Sequence, residues 1–355
     1  MESRKAFLDS LKEYTEEELI YKKFYSLRDK PDEKRKYMDE IEDYVRKHYL
    51  LIFDFPFITY PELLTEDDLY SNLSITKGSN VNIVRHLRYT PVFWHSHSFF
   101  TVLYVLSGQC GHKVGDLDVP MKQGDVFFLP PYVKQTIEVF DDSLVLNLHI
   151  RADTFGDYFF NVLRRGSMLS NFFIQSLFSK NQPHGIMFHT GDSEEIRDLY
   201  LDLYQEVLLD DAYSWRLLDN MVPILFAKLL RGYSDTSEVI GGTDQSKHSG
   251  HLNILSYIYE HYRDITLEEL ARHFNYSVPH ISRLIREETD HGFVDIVRKV
   301  RMGHATALLR TTDIPVAEIG DQVGYENTES FIRAFKKING MSPSVYRKKT
   351  RKSSE

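Results

Sequence analysis

The sequence predicts an α+β protein, in which a small antiparallel β-barrel with flanking helices is followed by an all-helical domain. Three observations lead to this order. Apolar residues alternate with a period of two between about residues 81 and 150, as in strands. Apolar residues recur at helical spacing on both sides of that stretch. One pattern of two short helices then occurs twice in the last hundred residues.

The composition is that of an ordinary globular protein and excludes several classes. Of the 355 residues, 42% are hydrophobic and 27% are charged, so disorder is not expected. The single cysteine, Cys110, excludes an internal disulfide framework and a multi-cysteine zinc site. The charged amino terminus lacks the apolar core of a secretory signal, and no apolar run could cross a bilayer. We therefore expect a soluble cytoplasmic protein with no membrane partner.

Charge is distributed unevenly along the chain. The net charge is −9, but residues 1–250 account for −11. Residues 251–352 carry 16 basic and 13 acidic side chains, a net charge of +3. A mildly basic end on an acidic body is compatible with a nucleic-acid-binding module attached to a different domain.

The first two predicted segments are a charged helical extension, residues 1–75, and the barrel, residues 76–155. The sequence assigns no role to the extension, whose apolar side chains recur at helical spacing at Tyr37, Ile41, Tyr44, Val45 and His48. The barrel is predicted from several short strand candidates separated by Gly, Pro and Asp turns. One of these strands places on a single face the residues Leu144, Leu146, Leu148 and Ile150.

Residues 156–231 predict a helical segment with two amphipathic helices, at Ser193–Leu209 and Tyr213–Arg231. Their apolar stripes either cover the barrel or form a dimer interface. Periodicity does not distinguish the two arrangements, so both stay open. Residues 232–251 are rich in Gly, Ser, Thr and Asp and predict a linker. The remaining residues, 252–352, form the all-helical domain.

The all-helical domain opens with two helices joined by a short turn. Thr266 and Glu269 have the spacing of a capping box at the start of the first helix. After a three-residue turn, Ser277 caps the second helix, with Pro279 in its first turn. A helix, a short turn and a second helix outline a helix-turn-helix unit.

The same outline returns about fifty residues further along the chain. Pro315–Val323 predicts the first helix of the second unit, and Asn327 caps the second helix. A long helix, Phe293–Leu309, joins the two units. The predicted core side of the last helix consists of Phe331, Phe335 and Ile338.

Each second helix carries an outward-facing arginine in its first two turns, Arg283 in one unit and Arg333 in the other. A guanidinium group can donate two hydrogen bonds to one guanine in the major groove. The amino-terminal turn of such a helix enters the groove while the preceding helix rests on the backbone. Two such helices on a stiff connector reach successive grooves, about 34 Å apart. The duplication therefore predicts sequence-specific binding to double-stranded DNA.

Residues 252–349 resemble the DNA-binding domain of the AraC (arabinose-regulator) family of transcription factors. The resemblance rests on LEELARHFNYSVPHISRLIREE, IPVAEIGDQVGY, SFIRAFKK and GMSPSVYR. It implies base-reading positions at Pro279, Ser282 and Arg283 in the first unit and at Thr328, Glu329, Ile332 and Arg333 in the second. The predicted set of DNA contacts is completed by the outward-facing Arg286 and Lys336.

Some residues depart from what the family usually has. Gly320 stands where the family has Ala, which predicts a looser helix. Asp290 replaces the usual glycine after the first recognition helix, which predicts a different helix end. Pro279 and Ile332 offer no side-chain hydrogen bonds, so they would read DNA shape or thymine methyl groups.

The segments FWHSHSFFTVLYVLSG and GDVFFLP resemble the two sequence segments of a cupin barrel, the usual sensor fold of this family. In metal-binding cupins the first segment supplies two His and one Glu, and the second supplies a third His. Here His95 and His97 are in place, but Thr101 and Gln135 replace the other two. Because Thr and Gln are poor ligands for transition metals, neither a metal nor another cofactor is expected.

The barrel is instead expected to bind a small-molecule effector. Aromatic side chains would form the apolar wall of the pocket. The family resemblance makes a sugar or another metabolite the leading effector. The predicted polar contacts are Arg88, His95, His97, Tyr104 and Gln135.

These observations predict a ligand-responsive transcription regulator rather than an enzyme, because no catalytic motif is present. We expect a homodimer formed through residues 81–231, with RNA polymerase as a further candidate partner. Activation and repression of transcription are both compatible with the sequence. One alternative is a ligand-independent regulator whose barrel only dimerises or binds a protein. Another is a cupin enzyme with an accessory DNA-binding domain.

Overall fold

The computed structural model describes residues 2–59, 61–65, 80–152, 183–241 and 249–352, together with Phe172, Phe173, Gln175, Ser176 and Phe178. These residues form an amino-terminal group of helices, two β-sheets packed face to face and a carboxy-terminal helical domain, which is the predicted α+β class. Parts of four predicted segments lie outside the described residues, at 66–79, within 153–182 and at 242–248. No helix among the described residues has the length and apolarity needed to cross a membrane.

Three helices open the chain, namely α1 (Glu2–Ser10), α2 (Glu16–Ser26) and α3 (Pro31–His48). Thr15 and Glu18 form a capping box that starts α2. Helices α2 and α3 share a core that contains the predicted apolar positions Tyr37, Ile41 and Val45. The chain then reaches the barrel at β1 (Leu63–Leu64), which pairs in parallel with β3 (Ser96–His97).

The larger sheet consists of β2 (Val81–Arg85), β4 (Phe100–Ser107), β8 (Asp125–Leu129), β10 (Leu144–Ile150), β11 (Gly185–His189) and β12 (Glu238–Ile240). Its strands are antiparallel neighbours in the order β12-β11-β8-β4-β10-β2. The smaller sheet places β5 (Gln109–Val114) between its neighbours, which are β6 (Leu117–Asp118), β7 (Met121–Lys122) and β9 (Gln135–Glu138). Apolar side chains from both sheets fill the space between them, including Leu103, Phe127, Val145, Val114 and Ile137.

Strands β11 and β12 correct the sequence-based segmentation. The segment predicted to be helical contains β11, and the segment predicted to be a linker contains β12, so the larger sheet draws strands from both. Most of β11 is buried on both faces and therefore shows no alternation. A three-residue strand such as β12 is too short for any period to be detected. The other predicted domain boundaries stay predictions.

Helices α4 (Glu194–Leu209) and α5 (Ser214–Tyr233) cover the outer face of the larger sheet. Ser193 caps α4 by accepting a hydrogen bond from the amide of Ile196. The leucine face predicted for β10 packs against both helices in one apolar core. One side of the two stripes thus covers the barrel, whereas several apolar side chains stay exposed, namely Leu208, Leu209, Tyr213, Leu217 and Ile224.

The carboxy-terminal domain contains α6 (Ser249–Glu260), α7 (Leu267–His273), α8 (Val278–Thr289), α9 (Phe293–Thr311), α10 (Val316–Gln322), α11 (Thr328–Asn339) and α12 (Pro343–Lys352). Thr266, Ser277 and Asn327 cap α7, α8 and α11 as predicted. The pair α7 and α8 and the pair α10 and α11 are the two helix-turn-helix units. Helix α9 joins them and contributes to both cores.

Three details of this domain refine the sequence-based expectations. Ile338 is 46% exposed, so its predicted place in the core is wrong. Helix α11 ends at Asn339, and its buried side is formed by Phe331 and Phe335. Asp290 adopts the left-handed conformation, with φ of 57°, so α8 ends as it would at a glycine. A Cβ atom on Gly320 would lie 3.1 Å from the Phe331 ring, so the glycine permits close packing there.

Candidate functional site

The two helix-turn-helix units present equivalent faces. In each unit the turn begins at a residue with positive φ, Asn275 with φ of 57° and Gly324 with φ of 86°. The cap residue follows and accepts a hydrogen bond from the third amide of the next helix, at 3.4 Å for Ser277 and 2.8 Å for Asn327. Helices α8 and α11 therefore begin in the same way, which gives their first turns matching positions.

The outer face of α8 carries most of the residues predicted to contact DNA in the first unit. Pro279, Arg283 and Arg286 are exposed and Ser282 is half-buried. The Arg283 guanidinium has local partners, with Nη2 3.1 Å from His280 Nδ1 and Nε 3.8 Å from a Glu287 carboxylate oxygen. Exposed contacts of this kind contribute little stability, so DNA can replace them at small cost.

The outer face of α11 carries the second predicted set. Glu329, Arg333 and Lys336 are exposed, whereas Thr328 and Ile332 are half-buried. Arg333 Nη2 donates a hydrogen bond of 3.3 Å to Ser330 Oγ on the preceding turn. Ile332 packs partly against the core of its own unit, so only part of its side chain is available to DNA.

A joint between the two units was not predicted from the sequence. Arg301 of α9 donates hydrogen bonds to the backbone carbonyls of Tyr262, at 3.0 Å, and Arg263, at 2.7 Å, just after α6. The Tyr262 ring stacks on His304, with centroids 4.1 Å apart. A Cβ atom on Gly324 would lie 2.3 Å from the Arg263 carbonyl oxygen. The end of α6 thus touches the turn of the second unit, which fixes one unit against the other.

The space between the two sheets becomes polar at one end. We call the buried polar residues there the histidine cluster, which consists of Asn82, His95, His97, Thr101, His112, Gln135, Asn147 and His149. Three of the predicted effector contacts, His95, His97 and Gln135, belong to it. Thr101 occupies the position of a replaced metal ligand, and four members of the cluster were not expected from the sequence, namely Asn82, His112, Asn147 and His149.

Gln135 lies at the centre of the histidine cluster. Its Oε1 accepts a hydrogen bond of 2.9 Å from His112 Nε2, and its Nε2 lies 3.4 Å from His95 Nε2. His95 Nδ1 faces the Phe93 carbonyl at 3.1 Å and donates a hydrogen bond to it, which leaves Nε2 of the neutral ring to accept from the Gln135 amide. His97 Nδ1 is 2.7 Å from Thr101 Oγ1, and its ring lies 5.7 Å from that of His149.

Burial keeps these histidines uncharged. Loss of solvation lowers the pKa of His112 to about 4 and that of His149 to about 3. It also lowers the pKa of His95, and that of His97 falls well below its ordinary value. At neutral pH the cluster therefore consists of neutral hydrogen-bonding groups.

Several buried polar atoms of the cluster have no hydrogen-bond partner among the described residues. These atoms are both polar atoms of the Asn82 side chain, His112 Nδ1, Asn147 Oδ1 and His149 Nδ1. A buried polar group without a partner costs about 1–3 kcal/mol, so a ligand that supplied the missing bonds would be stabilised there. Within the described part of the chain, no group of three or more His, Cys, Asp or Glu side chains is arranged to hold a metal ion.

Two predicted effector contacts lie outside the histidine cluster. Arg88 is 1% exposed and pairs with Glu18 of α2, with Nη2 2.8 Å from Oε2 and Nε 3.0 Å from Oε1. Tyr104 belongs to the core on the opposite face of β4, where its ring stacks on Tyr200 at 4.1 Å. Because side chains alternate along β4, Tyr104 and Thr101 point to opposite faces of the sheet, and the sequence already shows this. The sequence around Arg88 does not indicate its distant partner, Glu18.

Two family models match this chain in the regions that carry these sites. The AraC-like ligand-binding domain matches residues 82–173, and a helix-turn-helix domain matches residues 270–349. The C-terminal domain of AraT from Geobacillus stearothermophilus is 40% identical in sequence. That match covers 26% of this chain and 78% of the AraT domain, with a TM-score of 0.26.

Two curated bacterial regulators are similar over parts of their length. YtdP, an HTH-type transcriptional regulator of Bacillus subtilis, is 27% identical over 172 residues, which are 47% of this chain and 20% of YtdP. The raffinose operon transcriptional regulatory protein RafR of Pediococcus pentosaceus is 29% identical over 158 residues, which are 43% of this chain and 54% of RafR. The AraC-like ligand-binding domain matches the part of the chain that folds as the barrel, and the helix-turn-helix domain matches the duplicated unit. The chain is therefore similar to AraC-type helix-turn-helix transcription regulators over both regions.

Proposed function

We propose that this protein regulates transcription by inserting α8 and α11 into successive major grooves of one DNA site, under the control of a neutral ligand in the histidine cluster. One observation carries the proposal: two equivalent helices, each with an exposed arginine, are fixed on a single connector, α9. The DNA-contacting residues of the first unit are Pro279, Ser282, Arg283 and Arg286. Those of the second unit are Thr328, Glu329, Ile332, Arg333 and Lys336.

Selection of duplexes from a random library with the full-length protein tests this arrangement. The enriched sequences should contain two conserved blocks whose centres are about 10 base pairs apart, one helical turn of DNA. A guanine is expected in at least one block, since a guanidinium fork favours its two acceptors. A single block, or no enrichment over the input library, would contradict the proposal.

The ligand should be a small neutral molecule rich in hydroxyl groups, such as a sugar. The cluster contains no lysine or arginine, and the arginine predicted for it, Arg88, is occupied by Glu18. His112 Nδ1 is bare because Nε2 of this ring donates to Gln135, and Nδ1 together with Asn147 Oδ1 can accept hydrogen bonds that hydroxyl groups donate. The raffinose operon in the name of RafR agrees with a sugar as the effector.

Thermal unfolding with a panel of ligands tests the class of effector. Neutral mono- and oligosaccharides are compared with sugar acids and sugar phosphates of the same skeletons. A ligand at 100 times its dissociation constant should stabilise the folded protein by about 2.7 kcal/mol. Gln135→Leu should abolish that stabilisation, because the central bridge of the cluster is lost. Stabilisation by the charged sugars alone, or its persistence in Gln135→Leu, would refute the proposed ligand class.

We assign the exposed apolar stripe at the α4–α5 end to contact with a second copy of the chain. Leu217 and Ile224 lie two turns apart on one face of α5 and are 47% and 48% exposed. Leu208, Leu209 and Tyr213, at the end of α4 and in the following turn, are more exposed still. Apolar patches of this kind mark association sites, and a two-fold axis lets one patch meet its own copy.

Sedimentation of the full-length protein tests this pairing. Leu217→Glu should convert a dimer into a monomer, since a charge would be buried in the interface. Leu19→Glu is the matched control, because Leu19 is a leucine of α2 that is 54% exposed outside the stripe. A monomeric wild type, or a Leu217→Glu variant that still dimerises, would remove this part of the proposal.

A further inference from the structure

A short stretch of helical residues lies between the barrel and the DNA-binding domain. We call Phe172, Phe173, Gln175, Ser176 and Phe178 the bridging segment. All five side chains are buried, and three of them are phenylalanine rings that lie within seven positions of the sequence. Their surroundings differ between the two ends of the segment, and this difference makes it a connection between domains.

The first end belongs to the barrel. Phe172 and Phe173 are fully buried in the core between the larger sheet and its covering helices. The Phe173 ring lies 6.0 Å from Phe100 of β4 and 5.8 Å from Phe128 of β8, edge to face in both cases. Rings held in this way by several neighbours fix the position of the backbone that carries them.

The second end belongs to the first helix-turn-helix unit. Phe178 is 6% exposed and lies in the core that this unit forms from α6, α7, α8 and α9. The Lys299 ammonium of α9 lies 5.5 Å from the centre of the Phe178 ring. Phe178 is thus part of the core of a domain whose own helices begin only at Ser249.

We propose that Phe178 anchors the first helix-turn-helix unit to the barrel, so that the orientation of α8 follows the state of the barrel. The covalent connection to α6 comes much later in the chain, after β12, in residues predicted to form a linker. A Gly- and Ser-rich linker does not fix the orientation of the domains that it joins. The contact through Phe178 is a second, non-covalent connection between the barrel and the first helix-turn-helix unit.

The barrel end of the bridging segment is close to the histidine cluster. Phe127 and Phe128 are neighbours in β8 and face opposite sides of the sheet, as their separate cores indicate. The Phe127 ring lies 5.0 Å from His112, and the Phe128 ring lies 5.8 Å from Phe173. A shift of β8 caused at His112 therefore moves the first end of the bridging segment directly. Only this link to an effector rests on the proposed function.

The anchor can be tested in the full-length protein without DNA or ligand. Phe178→Ala is compared with Val294→Ala, which removes an exposed apolar side chain, 61% exposed, from the same helix α9 that carries Lys299. The readouts are small-angle X-ray scattering and the rate of proteolytic cleavage within residues 242–248. Loss of one buried phenylalanine should raise the population with separated domains by about tenfold to a hundredfold. Cleavage should accelerate by the same factor, and the maximum dimension should increase.

Two outcomes would overturn the proposal. One is that Phe178→Ala and Val294→Ala give the same scattering profile and the same cleavage rate as the wild type. The other is that Phe178→Ala unfolds the barrel and Phe178→Leu, which keeps an apolar side chain, leaves domain separation unchanged. Under the proposal Phe178→Leu gives an intermediate cleavage rate with an intact barrel transition. Because neither DNA nor effector is present, failure here is distinguishable from failure of DNA binding or of ligand binding.

Discussion

Acidification should destabilise the barrel through its buried histidines, well before their rings become protonated in the folded state. Burial holds the pKa of His112 at about 4 and that of His149 at about 3, against an ordinary value of 6.5. Folding therefore favours the neutral rings. The unfolded chain takes up protons below about pH 6.5 while the folded chain does not. The stability contributed by these two groups is thus present above that pH and is lost as the pH falls towards the folded pKa values.

The size of the effect follows from these values. Between pH 7.5 and pH 5 a histidine with a folded pKa of 4 or lower loses about 2 kcal/mol of folding free energy, because its unfolded form becomes almost fully protonated. His112 and His149 together should therefore lower the free energy of unfolding by about 4 kcal/mol. His97, whose pKa is also well below its ordinary value, adds to this loss. Domains of this size have total stabilities of about 5–15 kcal/mol, so the change is large.

Urea unfolding at pH 7.5, 6.5, 5.5 and 5.0 measures this dependence, with near-ultraviolet circular dichroism following the barrel. His112→Gln keeps a hydrogen-bonding side chain but cannot bind a proton, so its stability should fall by about 2 kcal/mol less over the same range. His48→Gln is the matched control, since His48 is an exposed histidine at the end of α3. Equal stability of the wild type at pH 7.5 and 5.0 would refute the reasoning. So would equal slopes for the two variants.

Three further predictions concern the DNA-binding domain and the amino-terminal helices. Arg333→Ala should lose about 1–3 kcal/mol on the selected DNA site and little on random DNA, as measured by fluorescence anisotropy. Gly324→Ala should destabilise the domain by about 1–3 kcal/mol, because a Cβ atom there meets a backbone carbonyl and the positive φ is strained. Gly292→Ala, whose Cβ atom would have no neighbour closer than 3.6 Å, should change little in the same denaturation assay. Glu18→Gln should cost about 3–5 kcal/mol in urea unfolding, because two buried arginines lose their counter-charge, whereas the exposed Glu13→Gln should be neutral.

Local features of this protein could be predicted from its sequence. The caps Thr266, Ser277 and Asn327 act within three residues of themselves, so the pattern that predicts each cap also contains its partner. The leucine face of β10 was predicted for the same reason, since the alternation of apolar and other residues is visible in consecutive positions of the sequence. Ile338 shows where such patterns stop, because helical spacing continues to the end of α11 although the Ile338 side chain in its last turn stays 46% exposed.

The candidate effector site was only half predictable. The resemblance to cupin segments found His95, His97 and Gln135 by their spacing. It could not find His149, which lies with Asn147 on the face of β10 opposite the leucines. A strand with one clear apolar face suggests that the other face is solvated, yet β10 is buried on both sides. Arg88 was misplaced because its partner, Glu18, is 70 residues away, and no local signal connects them.

Because the histidine cluster is neutral in the folded protein, the free energy of unfolding and the affinity for a ligand should depend differently on pH. In the folded protein the rings of His112 and His149 stay unprotonated at pH 5, because their pKa values are about 4 and about 3. A ligand that donates a hydrogen bond to the bare Nδ1 of His112 therefore meets the same acceptor at pH 7.5 and at pH 5. Its affinity for the folded protein should be constant over this range, even though the free energy of unfolding falls. If the affinity instead fell together with the free energy of unfolding as the pH was lowered, the ligand would bind to groups that take up protons in this range. The histidine cluster would then not be its site.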